Sequence, residues 1–558
     1  MRKVVGMGMR GAGLGTMLIA LWVCQGCGVD RETEREARPP AGRKHRVIFN
    51  GDSAALLYPH ANTVEGFLTP RFRPLLGTPV TTISWCIYAG APLYDSRIQP
   101  RFIDVHQEPP QDHERYLPNL KALIESGNCP LKILTEFAHE NGMEAFASIR
   151  MNDVHDSFWP GLMDPWKREH PELRVSSRRG LQFSVIDEPA FPGSRIAALY
   201  SSALDFSHQE VRDRRFEIIE EVCERYDIDG VELDFIRHPV LFKSTFEGRP
   251  ISADETTLMT SFIRRIRDRM DEIGDDRGRP LLLAARVPDD FELSLGVGLD
   301  LKTWMQEGLL DLLIAGGGYA PFTLPVEELT RVAHSYEVPV YPCINNPGSD
   351  VMGSRALEKT RALATNWYAA GADGIYFWNL ASPWDDMYED DAAWRKLLQK
   401  VYAVLDGIGD PEALHGKEKL YSAGAPVWFP YAFISSMSDL PVTLEQGVSR
   451  QVRLTLGDNP EHLPKAGAPG SAELILELEG PVRKDGLEIR LNGTTLKVTK
   501  PLILDTGEAT FQVQVSVGAP ELQQGVNLLE ASLRAGPAPS SPVVLSRLLL
   551  RVNPGNSR

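Results

Sequence analysis

Two acidic residues, Glu232 and Asp234, lie two positions apart in a short apolar run that ends at Phe235. Side chains two apart on a β-strand point to the same side, so both carboxylates are expected to share one environment. Carboxylates that flank a sugar linkage act as general acid, general base or nucleophile. The spacing predicts that Asp234 is catalytic, and that Glu232 is catalytic or orients Asp234 from beneath. The alternative is a structural ion pair with one of three arginines: Arg150, Arg237 or Arg286.

A second polar run follows another apolar segment and contains Asp153, His155 and Asp156. Asp153 or Asp156 is predicted to be the acid that partners Asp234. The same pattern is also typical of a loop held by Asx turns, or of a clamp on substrate hydroxyl groups. Further acids from other strands or loops are Asp205 and Asp289.

A metal site is another interpretation of this run, because carboxylate and imidazole groups are ordinary metal ligands. Asp153, His155, Asp156 and His238 would supply it, as in a metal-dependent carbohydrate deacetylase. The main prediction has no metal and no other cofactor. No GxGxxG follows the first predicted strand, and no GxxxxGK[ST] occurs in the chain, so the dinucleotide and nucleotide-phosphate signatures are missing.

Polar and aromatic residues recur after most of the apolar runs. A sugar ring stacks its apolar face on an aromatic side chain, and its hydroxyl groups bond to amides and carboxylates. The predicted substrate-binding residues are Asp52, Trp85, Arg150, Asn152, His155, Arg237, His238, Arg286, Tyr319, Asn345, Trp378 and Asn379. Trp159 and Trp384 are further aromatic candidates, and for each tryptophan the alternative is packing in the core or rim.

The elements that must position these residues alternate between short apolar runs and longer amphipathic ones. Strands are predicted at residues 47–50, 81–88, 145–150, 229–235, 281–287, 310–315, 338–344 and 374–379. Helices are predicted at residues 64–76, 130–140, 210–226, 256–273, 301–307, 326–334, 354–370 and 392–405. Nearly continuous apolar strands between helices indicate a parallel sheet, and eight units favour a (β/α)8 TIM barrel. Active sites in such barrels lie at the C-terminal strand ends, where these polar residues occur.

The pattern changes near Gly409 to period-2 alternation punctuated by turns such as Asn492-Gly493. This predicts a C-terminal antiparallel β-sandwich with an accessory role. The predicted organisation is a signal peptide at 1–27, a tether at 28–45, the barrel at 46–409 and the sandwich at 410–558.

The N-terminus carries three basic residues ahead of an apolar run at positions 14–23, the pattern of an export signal. The run is shorter than the ~20 residues that span a bilayer. Gly26 precedes Cys27, as at a lipoprotein processing site, so Cys27 is the predicted lipidation site. The protein is therefore expected in the cell envelope, lipid-anchored and periplasmic or surface-facing, or else secreted.

Residues 226–239, YDIDGVELDFIRHP, resemble the fourth-strand signature of the glycosyl-hydrolase-10-like family of bacterial lipoproteins. Segments 203–212, 150–156 and 50–52 are similar to other parts of that family, so the resemblance spans about residues 46–405. It implies a barrel that acts on, or binds, a glycan at the cell envelope. Family 18 chitinases share the Asp-Gly-x-x-x-Asp pattern but add a Glu two residues later. Ile236 occupies that position here, which argues against the chitinase mechanism that uses this acid.

The composition of the chain disfavours one class of partner and predicts the state of the cysteines. The 558 residues contain 59 Lys and Arg against 75 Asp and Glu, a net charge of −16, with no basic run, which disfavours nucleic acid as a partner. Cys86, Cys223 and Cys343 lie in apolar stretches and are predicted to be buried thiols, with a disulfide as the alternative.

The predicted function is a glycoside hydrolase that cleaves O-glycosidic bonds of a cell-envelope or environmental polysaccharide by paired carboxylate chemistry. The partner is then a polysaccharide or oligosaccharide, and the membrane is contacted only through a lipid anchor. The alternatives are the deacetylase and a non-catalytic glycan-binding lipoprotein. The binding alternative gains support if arginines neutralise the interior carboxylates and no acid pair faces solvent.

Overall fold

A computed structural model describes most of the chain from residue 46 onward. The described residues are 46–106, 115–157, 160–176, 199–345, 355–380, 398–425, 427, 429–463, 466–467, 471–482, 486–498, 500–505, 509–537 and 539–553. The predicted signal peptide, tether and lipidation site Cys27 lie outside them, as do Trp159 and Trp384. None of the helices in these ranges is long and apolar enough to cross a membrane.

Eight parallel strands close into a barrel in which β1 pairs with both β2 and β8. The strands are β1 Arg46–Gly51, β2 Val80–Tyr88, β3 Glu144–Arg150, β4 Gly230–Asp234, β5 Leu282–Val287, β6 Leu312–Ala315, β7 Val340–Asn345 and β8 Gly374–Trp378. Each overlaps the run from which it was predicted. The predicted fold class, a TIM barrel followed by a β-rich domain, is confirmed.

Alternation along the strands separates two environments. One set of side chains fills the barrel interior, with Ile48, Phe146, Leu312 and Tyr341 among its apolar members. Strand residues of the opposite parity join a larger core between the strands and the helices. Toward the C-terminal strand ends the interior becomes polar, because the candidate site residues of the sequence analysis lie there.

Twelve helices surround the barrel within the described ranges. They are α1 Val64–Leu68, α2 Phe102–Val105, α3 Tyr116–Glu125, α4 Pro130–Glu140, α5 Pro165–Glu169, α6 Gln209–Arg225, α7 Lys243–Phe246, α8 Ala253–Arg277, α9 Phe291–Gly296, α10 Leu301–Gln306, α11 Val326–His334 and α12 Ala356–Ala369. The bounds of α4 and α11 match the prediction. The helix predicted at 64–76 ends instead at Leu68, because Pro70 and Pro74 cannot continue it.

The longest helix, α8, begins earlier and ends later than its apolar pattern indicates. Ser252 accepts a hydrogen bond from the backbone N–H of Glu255, and the Glu255 side chain accepts one from the backbone N–H of Ser252. This capping box fixes the start of the helix, and Gly278 ends it in a left-handed conformation with φ of 71°.

The C-terminal residues form two antiparallel sheets. Their strands are β9 Lys419–Ser422, β10 Val442–Leu444, β11 Arg450–Leu456, β12 Ala472–Glu479, β13 Leu487–Leu491, β14 Thr494–Thr495, β15 Lys500–Asp505, β16 Ala509–Val517, β17 Gly525–Leu533 and β18 Val543–Val552. The order is β10-β18-β12-β16-β15, with β9 on β18, in one sheet and β11-β17-β13-β14 in the other. Asn492 and Gly493 both have positive φ, 49° and 81°, as a type I′ hairpin turn requires.

All four cysteines of the described barrel residues are free and buried: Cys86, Cys129, Cys223 and Cys343. The prediction of buried thiols is therefore confirmed for the three cysteines to which it applied. Burial raises the pKa of Cys86, Cys223 and Cys343 to about 12, so these thiols are protonated and unreactive at neutral pH.

The packing around Gly230 explains why the Asp-Gly-x-x-x-Asp motif has a glycine at its second position. A Cβ atom at position 230 would lie 2.6 Å from the backbone oxygen of Leu282 and 2.7 Å from the ring of Phe146. We expect Gly230→Ala to lower the free energy of unfolding by about 1–3 kcal/mol through overpacking. Gly296→Ala is the matched control, because a Cβ there meets nothing within 4 Å. Urea denaturation measures both variants, and equal effects would contradict the packing explanation.

Candidate active site

Glu232 lies in the centre of the barrel and is fully buried. Its carboxylate accepts hydrogen bonds from Ser84 Oγ at 2.5 Å, Ser148 Oγ at 2.9 Å and Tyr376 Oη at 2.8 Å. Asn50 Nδ2 adds longer contacts at 3.3 and 3.4 Å. These four neutral donors come from β2, β3, β8 and β1. Burial, and next the charge of Asp234, raise the pKa of Glu232. The geometry fits the predicted orienting role.

Asp234 occupies the next interior level of β4, at its C-terminal end. Its Oδ1 accepts hydrogen bonds from the backbone N–H groups of Ile236 and Arg237, both at 3.0 Å. A guanidinium nitrogen of Arg286 lies 3.3 Å from Oδ2 and 3.4 Å from Oδ1. The ion-pair alternative is thus realised with Arg286. Asp234 is fixed by three donors.

Arg286 is fully buried and links Asp234 to the neighbouring strands. Its second terminal nitrogen donates to the backbone oxygen of Gly317 at 3.0 Å, and its guanidinium lies 4.9 Å from the ring centre of Trp378. The charge of Asp234 outweighs burial and holds the pKa of Arg286 well above its usual value. A permanent positive charge therefore lies beside the Asp234 carboxylate.

Arg150 organises a second cluster at the ends of β1 and β3. It donates to Asp153 Oδ2 at 2.7 Å and also bonds to Asp52, which accepts a further hydrogen bond from Asn379 Nδ2 at 3.0 Å. Burial raises the pKa of Asp153, but His155 and Arg150 outweigh it and hold this pKa well below its usual range. The pKa of Asp52 is lowered in the same way, because Arg150 and Arg237 outweigh its burial. Both carboxyls are ionised at neutral pH.

Two histidines lie against this cluster, with their ring centres 4.9 Å apart. His155 Nδ1 is 2.9 Å from Asp153 Oδ1, and its Nε2 is 3.0 Å from a terminal nitrogen of Arg237. His238 Nδ1 accepts a hydrogen bond from the backbone N–H of Val154 at 3.3 Å. Burial lowers the pKa of both imidazoles, and for His238 the charge of Arg237 lowers it further. Both rings are therefore neutral at pH 7.

Asp153, His155 and His238 offer metal-ligand atoms that lie within 4.8 Å of one another. Two arginines, however, use the same atoms. Arg150 Nη1 is 2.7 Å from Asp153 Oδ2 and 3.5 Å from His155 Nδ1, and Arg237 donates to His155 Nε2. Guanidinium groups at these positions repel a divalent cation and occupy its ligands. The residues present do not fit the metal site that the sequence offered as an alternative.

The segment 429–438, which precedes β10, contributes a residue to this mouth that the sequence analysis missed. The ring of Tyr431 stacks on Tyr319 with centres 4.0 Å apart and planes at 13°, and its hydroxyl accepts a hydrogen bond from Arg237 at 2.9 Å. Asp289, just beyond β5, holds the segment through the backbone N–H of Ser436 at 2.8 Å. The aromatic cluster of positions 428–433, outside the period-2 pattern, was the available signal.

Trp85 does not reach the mouth. It is 1% exposed and packs against the rings of Phe67 and Phe72, at 5.3 and 6.0 Å between centres. Ser84 points into the barrel toward Glu232, so its neighbour Trp85 must point outward to the helices. The assignment of Trp85 to substrate binding is therefore corrected to core packing.

Asn152 and Asp156 also lie away from the barrel mouth and serve the surrounding loops. The Asn152 amide bonds to the backbone of Leu204, at 2.9 Å in both directions, and to the Val240 oxygen at 2.8 Å. Asp156 Oδ1 accepts hydrogen bonds from Lys167 Nζ at 2.8 Å and Ser202 Oγ at 2.9 Å. Asn152 is corrected to a loop clamp and Asp156 to a buried ion pair.

Two further predicted residues lie at strand ends as expected. Asn345 ends β7, is buried, and its backbone N–H bonds to the Gly318 oxygen at 3.4 Å. Asn379 follows β8 with a positive φ of 58°, which directs its amide to Asp52. Asp205 instead accepts from the backbone N–H of Ser207 at 3.0 Å, an Asx-type turn ahead of α6.

Comparison with known proteins gives a likeness of fold only. No family model and no curated protein matches the chain. Among solved structures, a family 18 chitinase from Chromobacterium violaceum aligns at 12% identity and TM-score 0.36, over 90% of each chain. A family 36 α-galactosidase from Geobacillus stearothermophilus aligns at 13% identity and TM-score 0.34, over 91% of this chain and 56% of its own. An α-L-fucosidase from Paenibacillus thiaminolyticus aligns at 15% identity and TM-score 0.38, over 68% and 51%.

The chain thus spans about half the length of the galactosidase and the fucosidase. At these identities and TM-scores the likenesses carry no argument about substrate or reaction. The resemblance to the glycosyl-hydrolase-10-like lipoproteins stays a prediction.

Asp156 and Lys167 provide a test of the corrected assignment. Asp156→Asn leaves the buried ammonium without its anionic partner, so we expect the free energy of unfolding to fall by about 3–5 kcal/mol. Lys167→Met removes that charge, and the double variant should recover part of the loss. A double-mutant cycle by urea denaturation measures the coupling. Additive effects of the two changes would contradict the ion-pair role.

Proposed function

We propose that this protein is a glycoside hydrolase in which Asp234 is a catalytic carboxylate. The observation that supports this most directly is the fixed position of Asp234 at the C-terminal end of β4, held by two backbone N–H groups and by Arg286. A carboxylate held in one orientation at a strand end has the geometry that a nucleophile or general base needs. Glu232 lies beneath Asp234 on the same strand and helps to hold Asp234 in position.

The partner acid is better sought on strand five than on strand three. Asp156 is occupied by its ion pair with Lys167, and Asp153, whose pKa is held well below its usual range, is unsuited to donate a proton. Burial raises the pKa of Asp289 to about 7, although the backbone N–H groups of Ser436 and Gly317 oppose the rise. A carboxyl with a pKa near 7 can donate a proton at neutral pH. We therefore assign the proton donor to Asp289.

The aromatic residues of the mouth would hold the sugar. Trp378, Tyr319 and Tyr431 are nearly buried, with 4%, 6% and 2% of their surface exposed, so they would contact a sugar over a small area. Asn379 supplies an amide beside Asp52. The proposed substrate is a polysaccharide or oligosaccharide, encountered at the cell envelope or in the surroundings of an exported, lipid-anchored protein.

A second candidate function is glycan binding without hydrolysis. Its support is that four acids predicted near the mouth contact a cation: Asp52, Asp153, Asp156 and Asp234. The deacetylase alternative has lost its support, because arginines occupy the atoms of the metal triad.

Substitution of Asp234 tests the hydrolase proposal. A screen of plant, algal and bacterial cell-wall polysaccharides for released reducing ends identifies a substrate for the native protein. On that substrate Asp234→Asn and Asp234→Glu are both expected to lower kcat by about 1000-fold. Asp234→Glu keeps the charge that Arg286 requires and displaces the carboxylate, so it tests the position of the acid rather than its charge.

Thermal unfolding of each variant accompanies the kinetics. Asp254→Asn, an exposed change in the first turn of α8, serves as the control that keeps full activity. Native kcat in a folded Asp234→Glu variant would overturn the assignment. Glycan affinity without product release would favour the binding alternative.

The titration of Asp289 gives a pH-dependent prediction. Its pKa is about 7 in the folded protein against 3.8 in the unfolded chain, so its stabilising contribution is full below about pH 4 and disappears as the pH rises through 7. The unfolding free energy of the native protein, minus that of Asp289→Asn, should fall by up to about 4 kcal/mol between pH 4 and 8.

Chemical denaturation at several pH values measures this difference. The asparagine does not titrate, so its own effect on stability is a constant offset. A difference that stays constant with pH would show that Asp289 has an ordinary pKa, and would remove it as the proton donor.

A further inference from the structure

Arg237 differs from the other two arginines of the mouth in the groups that bond to its guanidinium. Arg150 bonds to Asp52 and Asp153, and Arg286 bonds to Asp234. The side chain of Arg237 instead donates to two neutral groups, Tyr431 Oη at 2.9 Å and His155 Nε2 at 3.0 Å. Within the described part of the chain no carboxylate lies within ion-pair distance of Arg237.

The guanidinium of Arg237 also keeps hydrogen-bonding capacity. It has five N–H donors, of which the tyrosine and the histidine use one each. The residue is half-buried, and its Nε is enclosed without a partner. Asp52 interacts with the charge of Arg237 only beyond ion-pair distance, so it offsets only part of the cost of removing the guanidinium from water, and a bound anion would offset more of it.

Aromatic rings frame the same group. The guanidinium of Arg237 lies 5.4 Å from the ring centre of Trp378, and its hydrogen bond reaches Tyr431, which stacks on Tyr319. An aromatic face binds the apolar side of a sugar ring, while a planar guanidinium binds a carboxylate or sulfate in two-point geometry. One ligand chemistry combines both features: a sugar ring that carries an anionic substituent.

We propose that the saccharide bound at this mouth is acidic, and that Arg237 binds its carboxylate or sulfate group. The inference rests on the proposed function for the location of the sugar, and it adds the substrate class. The net charge of −16 repels a polyanion at long range. At physiological ionic strength the Debye length of about 8 Å confines that repulsion, so the local contact with Arg237 decides binding.

Matched acidic and neutral glycans test the proposal by direct binding. The probes are oligomers of galacturonate, of alginate and of chondroitin sulfate, each compared with its carboxyl-reduced or desulfated form by isothermal titration calorimetry. At least one acidic probe is expected to bind about 10- to 100-fold more tightly than its neutral counterpart, the effect of one charge-assisted contact. The carboxyl-reduced and desulfated forms of the same oligomer separate the two anions.

Variants assign the preference to Arg237. Arg237→Gln should reduce affinity for the acidic probe to that of the neutral one, while Arg237→Lys retains part of the preference. Tyr431→Phe removes the hydroxyl that accepts from Arg237 but leaves the Arg237 charge, so it should keep the preference for the acidic probe. This variant separates the effect of that charge from the support that Arg237 gives to segment 429–438. Arg453→Gln is the control. Arg453 lies on β11 and forms a surface ion pair with Asp439, so this change should alter the affinity for neither the acidic nor the neutral probe.

The outcomes separate this inference from the proposed hydrolase activity. Equal affinity for acidic and neutral forms, no binding of either form, or an unchanged preference in a folded Arg237→Gln variant would overturn the inference. Hydrolysis of a neutral glycan alongside equal affinities would leave the hydrolase standing without it. An acidic preference lost in Arg237→Gln, with no product released over long incubation, would support the inference and refute hydrolysis.

Discussion

A carboxylate with no cation bonded to it lies at the centre of the barrel, and the polar interior is arranged around it. Glu232 has hydroxyl and amide donors from four strands, and a buried carboxylate of this kind is tolerated only when its oxygens are bonded. Loss of one donor would leave part of that charge unsatisfied. The requirement ties β1, β2, β3 and β8 to β4 at one level, directly beneath Asp234.

The arrangement of the charged side chains above Glu232 follows from the need to balance their charges in a confined space. Asp234 bonds to Arg286, and Asp52 and Asp153 share Arg150, so the charge of Arg237 is needed to balance these three acids. Arg237 hydrogen-bonds to two neutral groups, Tyr431 and His155, and keeps further N–H donors for a ligand. The mouth therefore offers one guanidinium to a ligand, an arrangement better suited to an acidic saccharide than to a neutral one.

The hydrophobic pattern along the chain was sufficient to predict the helices and strands. It also predicted which of several side chains point into the barrel. The two-residue spacing placed Glu232 and Asp234 on one interior face, and the eight strand ends placed Arg150, Arg286 and Trp378 near one another. The same parity rule, applied to Ser84, would have turned Trp85 outward. Composition of a polar run could not separate Asp153, which bonds to Arg150 three residues before it, from Asp156, which bonds to Lys167 on α5, because residue types alone do not show which cation each acid meets.

Tyr431 lay beyond prediction for a related reason. It follows the barrel in the chain and returns to its mouth through Asp289 and Tyr319, contacts over more than a hundred residues that no local pattern encodes. The assignment of an accessory role to everything after the barrel therefore needs revision for segment 429–438. This segment supplies an aromatic face to the mouth and encloses the carboxyl that we assign as proton donor.

The Asp-Gly-x-x-x-Asp motif divides into a part that builds the barrel and a part that faces its mouth. Asp229 accepts from the backbone N–H of Ala145 at 2.8 Å and from Arg279 at 2.7 Å, and Gly230 leaves room for Phe146. These first two positions serve the lower end of the sheet, where no substrate reaches. Only the final Asp234 lies at the mouth. A motif with this division recurs wherever such a strand must be built and carries little information about the sugar, which the residues around Arg237 must select.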